Sequence, residues 1–190
     1  MTQLLGPRIQ LRLLDEADGP SLLAAAFDGE LWSLPFTIVP SHETIDDYIR
    51  IALSGHAAGT GIPFVIELIS TGKIIGSTRF WNADISARTI EISHTWLAFS
   101  YQRTFVNTEV KYLMLQFAFE QLACIRVQFR VDETNSKSRT AVLRLGAKEE
   151  GLIRHERVMP DGRKRNALLY SIVDDEWPAI KSHLRHRLML

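Results

Sequence analysis

The octet Gln102-Arg103-Thr104-Phe105-Val106-Asn107-Thr108-Glu109 lies between a strand-like run and a long amphipathic helix pattern. A loop that opens a helix after a strand exposes several backbone N–H groups with no intrahelical partner, which suits a phosphate. Arg103, Thr104, Asn107 and Thr108 add side chains able to donate to phosphate oxygens. Glycines, which usually let backbone approach a pyrophosphate, are missing. The chemistry expected of this stretch is the binding of a phosphorylated cofactor.

The elements that must hold this loop follow from periodicity. Residues 8–14 alternate as a strand, with Ile9, Leu11 and Leu13 on one face. Residues 18–28 read as a helix, with Pro20 confined to its first turn. Residues 31–40 are irregular and rich in aromatics. Ser41 is expected to cap a helix whose Ile45, Tyr48, Ile49, Ala52 and Leu53 recur at helical spacing as far as Gly55. Strands are expected at 62–69 and 73–81 around the hairpin Ser70-Thr71-Gly72, then at 89–97. A helix follows from Thr108 to about Leu122, with Val110, Leu113, Met114, Phe117 and Ala118 as its apolar stripe. A strand at 125–131 presents Ile125, Val127, Phe129 and Val131 to one side. A short helix at 135–145 stops at Gly146. Strands at 148–158 and 163–173 flank the turn Met159-Pro160-Asp161-Gly162, and a last helix from Asp174 turns Trp177, Ile180, Leu184 and Leu188 inward.

With no linker or repeat, residues 1–190 are expected to form one α/β domain, a mixed sheet with helices on both faces. The 190 residues suffice for a substantial core, and 22 acidic residues balance 22 basic ones. That balance argues against general nucleic-acid binding. No Cys/His spacing points to a metal, and the single Cys124 reads as a small buried hydrophobe. The apolar stretch Leu22 to Phe27 is too short for an export signal or a membrane span, so a cytoplasmic location is expected. Leu188 and Leu190 at the C-terminus leave room for a homodimer contact.

Four patterns in the right order then carry a resemblance. They are Gly76-Ser77-Thr78-Arg79; Ile90-Glu91-Ile92-Ser93 with Trp96-Leu97; Asn107-Thr108-Glu109; and Asn135-x-x-Ser138-Arg139 followed by Leu145-Gly146-Ala147. The chain resembles GNAT-superfamily N-acetyltransferases, in particular the ribosomal-protein N-terminal acetyltransferase branch. The family's cofactor loop has the form Q/R-x-x-G-x-G/A, a register occupied here by Gln102 to Asn107. Phe105 and Asn107 stand where a glycine or small residue is usual. Phe105, having a Cβ, should avoid a left-handed φ.

The resemblance implies a twisted, mostly antiparallel sheet and direct attack of an amine on the thioester of acetyl-CoA. It implies cofactor contacts from the Trp96 and Leu97 backbone, from Gln102, Arg103, Thr104, Phe105, Val106, Asn107 and Thr108, and from Asn135 and Ser138. Glu91 is implied as general base, directly or through water; a solvent-facing strand carboxylate is the alternative. Ser138 is implied near the cofactor sulfur, where a hydroxyl can give a proton or a hydrogen bond, though a serine in a first helical turn is common. The acceptor pocket is expected to combine Trp32, Phe36, Arg79, Trp81 and His94.

The acceptor is expected to be a protein N-terminus or a small-molecule amine. An ordinary α-amine is about 10–20% neutral at pH 7, whereas a lysine is below about 0.1%. A single carboxylate base therefore handles an α-amine more easily. A non-catalytic acyl-CoA-binding module on the same scaffold is the alternative function. A nucleotide ligand ranks last, because no Walker or dinucleotide glycine pattern is present.

Overall fold

The structure, a computed structural model, describes residues 2–159 and 161–190. Eight strands form one sheet. In chain order they are β1 (Gln3–Leu5), β2 (Ile9–Leu13), β3 (Gly61–Leu68), β4 (Ile74–Asp84), β5 (Thr89–Leu97), β6 (Arg126–Asp132), β7 (Lys148–Val158) and β8 (Lys164–Val173). Their spatial order is β1-β2-β3-β4-β5-β6-β8-β7. All pairs are antiparallel except β5 with β6.

The helices are α1 (Gly19–Phe27), α2 (Ile45–Ala57), α3 (Val106–Gln116), α4 (Ser136–Leu143) and α5 (Trp177–Leu188). Helices α1 and α2 cover one face, packing Leu22, Ala26, Ile45 and Ile49 against Val65, Ile74 and Trp96. Helices α3 and α5 cover the other, packing Val110, Met114, Ile180 and Leu184 against Phe64, Phe80, Ile92 and Phe129. This double covering explains why β4 is buried continuously from Ile74 to Phe80 instead of alternating.

Several boundaries differ from the sequence expectation for identifiable reasons. Ser41 does not cap α2; it heads a turn in which its N–H donates to Thr44 Oγ1 at 2.9 Å, so the helix starts at Ile45 and runs past Gly55. Helix α3 starts two residues before Thr108 and ends in a π-helical turn over Phe117–Gln121. Ile125 precedes β6 and is 40% exposed, so Val127, Phe129 and Val131 carry the inward face alone. Leu188 belongs to the core and is withdrawn from any dimer contact, while Leu190 stays exposed. Of the turn at 159–162, Pro160 lies outside the described residues; Gly162 takes φ +81° and donates its N–H to Met159 O.

Two irregularities open the sheet. Strands β5 and β6 pair only through Thr89, Ile90 and Glu91, opposite Arg126, Val127 and Gln128. Beyond Glu91 they diverge. On the other edge of β5, Ser77 faces Trp96 but Arg79 faces Ser93, so His94 and Thr95 bulge opposite Thr78. His94 takes a left-handed φ of +52° to make that bulge. Gly76 lets the strands close again: a Cβ there would meet the Trp96 carbonyl at 2.2 Å.

Candidate active site

The divergence of β5 and β6 opens a cavity of about 850 Å³. It runs along Ile92–Leu97 of β5 and Phe129–Asp132 of β6, and reaches the first turns of α3 and α4. The N–H of Ala98 donates to Ile75 O. Strand alternation therefore turns the Leu97 N–H toward the gap.

At the α3 end, the loop divides its polar groups between self-support and the cavity. Gln102 Nε2 donates to Leu97 O at 3.0 Å. The Thr104 hydroxyl donates to Tyr101 O at 2.7 Å and accepts the Val106 N–H. Arg103, Asn107 and Thr108 line the cavity with no such engagement, together with first-turn N–H groups that have no intrahelical partner. Lys137, Arg144 and Arg187 add positive charge around the same cavity. This donor set fits a polyphosphate.

The left-handed residue in this loop is Arg103, at φ +59°, while Phe105 sits at φ −64°. Phe105 turns away from the cavity, and Arg8 stacks on its ring at 3.9 Å. Val106 is fully buried in the core. Neither side chain lines the cavity, so their aromatic and aliphatic groups serve the fold. Glu109 also faces away: its carboxylate accepts the Arg8 and Ile9 N–H groups and pairs with Arg8 Nε at 2.8 Å, fixing α3 to β2.

At the α4 end, Asn135 Oδ1 accepts the Ser138 N–H at 3.0 Å, a side-chain cap. Both residues line the cavity. The cap occupies the Ser138 backbone and leaves its hydroxyl free to serve the cavity.

The residues expected at the acceptor pocket are split by depth. His94 and Phe36 line the cavity; Trp32, Arg79 and Trp81 do not. Trp32 packs on Phe27 at 4.0 Å, and Trp81 lies against His94 at 5.5 Å. His94 is drawn down to about 3, first by burial and then by Arg79, Arg157 and Arg165, so it is neutral at pH 7. Glu91 lies behind the cavity wall rather than at its surface, and it is not the solvent-facing carboxylate of the alternative reading, being 1% exposed. Arg130 Nε stands 3.4 Å from its carboxylate, and Asn82 Nδ2 donates to it at 3.4 Å. Burial pushes this carboxyl above the ordinary carboxylate range against the opposing pull of Arg130 and Asn82. Its neighbour Ser93 lines the cavity.

Lys111 is the main cavity residue that sequence reasoning missed. It is 5% exposed, lines the cavity, and donates to Thr95 Oγ1. Burial draws its amine down to about 7. The available signal was a lysine interrupting the apolar run of α3, four residues after Asn107. Arg130 with Asp132, and Arg163 with Arg165, were likewise legible as charged pairs at strand spacing. Among the described residues, no group of three or more His, Cys, Asp or Glu side chains could hold a metal ion.

Comparison with known proteins agrees with this geometry. Residues 8–148 match the family model for the acetyltransferase (GNAT) domain. Among the relatives are two whose names are qualified as putative. One is the ribosomal N-acetyltransferase YdaF of Bacillus subtilis (strain 168), 29% identical over 114 residues, which are 60% of this chain and 61% of YdaF. The match thus spans about three fifths of that relative. The other is an acetyltransferase of T. thermophilus whose crystal structure superposes with a TM-score of 0.86 at 30% identity, covering 99% of this chain and 97% of that one. A GCN5-related N-acetyltransferase from Brucella melitensis gives a TM-score of 0.87 at 25% identity, covering 97% and 84%. With the family model spanning most of its length and the cavity opening where two parallel strands part, this chain belongs to the GNAT acetyltransferase family.

Proposed function

We propose that this protein moves an acetyl group from acetyl-CoA to a primary amine, with a protein N-terminal α-amine as the favoured acceptor and a small-molecule amine as the second. The observation that carries the reading is the parting of β5 from β6 after Glu91, which joins the α3 N-terminus to Ser93 and His94 in one cavity. The name of the YdaF relative supports a protein acceptor. The free, buried Cys124 suits a reducing cytoplasmic setting, which is part of the same proposal.

Acetyl-CoA, when bound, supplies the activated thioester. Arg103, Asn107, Thr108 and the first-turn N–H groups of α3 hold its phosphates. The Leu97 N–H lies along the gap to orient the arm that enters it. Glu91, raised by burial, takes the amine proton through one water past Ser93. The Ser138 hydroxyl holds a proton at Oγ for the sulfur side. His94 shapes the acceptor end without adding charge, because it is neutral.

The test is calorimetric binding of acetyl-CoA, followed by thiol release with a panel of N-terminal peptides and small amines. Saturable acetyl-CoA-dependent thiol release with a peptide amine is the expected result. Binding without turnover on any amine would assign the chain to the non-catalytic module, and absence of binding would overturn both.

A further inference from the structure

Beside His94, on the sheet face away from α3, lies a network of charge in which Arg79, Arg165, Glu91 and Asp132 are buried and Arg130, Arg157 and Arg163 are half-buried. Arg163 and Arg165 pair with Asp132 at 2.8 and 3.6 Å. Arg157, Arg165 and Arg130 surround Glu156 at 2.8, 3.6 and 3.9 Å. Arg130 also reaches Glu91. Arg79 stands apart. It is 3% exposed, its guanidinium lies over the Tyr48 ring at 4.5 Å, its Nη2 donates to the Tyr48 carbonyl at 3.5 Å, and its Nε has no hydrogen-bond partner. Among the described residues no carboxylate lies within about 4 Å of it, the reach of a direct ion pair.

Leaving aside Arg163, on which Asp161 and Glu133 also act, the four guanidiniums of Arg79, Arg130, Arg157 and Arg165 meet the three carboxylates of Glu91, Asp132 and Glu156, an excess of one positive charge. Buried charge without a counter-ion is costly, and buried guanidinium N–H groups without acceptors add to that cost. Arg79 Nε is such a group, whereas the Nε of Arg165, a residue 6% exposed that lines the cavity, makes no hydrogen bond but faces the Asp132 carboxylate at 3.6 Å. Arg79 sits opposite Ser93 across the β4–β5 pairing, directly behind the same wall. Arg79, Arg130, Arg157 and Arg165 come from β4, β6, β7 and β8. They are separate from Arg103, Lys137, Arg144 and Arg187, which come from the α3 loop, α4, its C-terminal flank and α5.

We propose that the acceptor amine belongs to a molecule that also carries a carboxylate, received by Arg157 and Arg165 beside His94, with Arg79 adding positive charge from behind the cavity wall. The inference rests on the acetyl-transfer reading of the same cavity and names its substrate class. A carboxylate in the cavity would neutralise the surplus, and guanidiniums match it geometrically. The carboxylate has two sources: an acidic side chain next to a peptide N-terminus, or the α-carboxylate of a free amino acid.

The experiment compares acceptors matched except for that charge. One arm uses the peptide amides Ala-Glu-Ala and Ala-Gln-Ala; the other uses alanine and alaninamide. Thiol release is measured with wild type, Arg79→Gln and Arg157→Gln. A preference of tenfold or more in kcat/KM for the carboxylate partner of either pair is expected, and the arm that shows it identifies the source. The ratio should collapse toward one in at least one variant. Equal rates in both pairs, or a ratio unmoved in both folded variants, would overturn the proposal.

Calorimetric binding of the N-acetylated products to CoA-loaded protein separates this inference from the reading beneath it. Tighter binding of the carboxylate products with no turnover would sustain the charge recognition while removing acetyl transfer. Equal or absent binding of both products, again with no turnover, would remove the carboxylate recognition.

Discussion

Arg130 Nε lies 3.4 Å from the Glu91 carboxylate at the point where β5 and β6 separate. The last paired residue of one strand is thereby tied to the first diverging stretch of the other. Burial raises the Glu91 carboxyl and Arg130 holds it down, so the pair sets where the base form is lost. Glu91→Gln is expected to lower kcat by about 100-fold or more, the scale of a general base, with acetyl-CoA affinity unchanged. The acid limb of kcat/KM should lie above an ordinary carboxylate, because protonation occurs as pH falls through a raised pKa. Arg130→Gln should move that limb higher still. Wild-type rates in Glu91→Gln would remove it from the base role.

Asn135 and Ser138 offer a separable pair. Asn135→Ala removes the side-chain cap of α4 and should cost about 1 kcal/mol of stability, along with weaker acetyl-CoA binding. Ser138→Ala keeps that cap, because the capped group is the backbone N–H. It should unfold within about 0.5 kcal/mol of wild type, yet turn over more slowly. Denaturation curves beside steady-state rates distinguish the two. A Ser138→Ala enzyme with full kcat would make the serine a helix residue only.

The sheet and its helices were legible because apolar periodicity is local, and β5 falls at Thr89–Leu97, the run expected for it. The family resemblance rested on short patterns that also lie in sequence order. What escaped was set by three-dimensional placement. Nothing local to Glu91 says that it sits behind the cavity wall, since that depends on the bulge at His94 and on Arg130 from another strand. Phe105 looks like a cofactor-loop residue until Arg8, nearly a hundred positions away, is seen stacked on it. The surplus of arginines near His94 is scattered over four strands, and only the sheet order brings them together.

Lys111 makes stability depend on pH in a direction that can be worked out. Its amine is drawn from 10.5 to about 7 by burial. Between those values the unfolded chain binds a proton that the native chain does not, so stability rises with pH across that window and is lowest below it. The slope from this one group is at most roughly 1.4 kcal/mol per pH unit. Lys111→Met should flatten it and be more stable than wild type near pH 7. The check is the wild-type minus variant difference in unfolding free energy from about pH 6 to about pH 10, the span in which the two states differ in bound protons. A difference that does not vary with pH would show that Lys111 keeps its charge in the fold.

Arg103 combines a left-handed backbone with a side chain proposed to bind phosphate, so stability and affinity should move in opposite directions when it is changed. Its φ of +59° lies in the left-handed region, which costs an L-residue about 1–2 kcal/mol and a glycine almost nothing. Its guanidinium lines the cavity at the α3 end, where the proposal puts the cofactor phosphates. Arg103→Gly should therefore raise stability by about 1 kcal/mol, less than the full strain because the unfolded chain also gains freedom. The same change should weaken acetyl-CoA binding and reduce its dependence on salt, since one charge-assisted contact is lost. Arg103→Ala keeps a Cβ and loses the charge; it should bind as weakly as the glycine variant without its gain in stability. If both variants bind acetyl-CoA as tightly as wild type, Arg103 is a solvated surface arginine and the phosphates are held by the α3 N–H groups with Asn107 and Thr108.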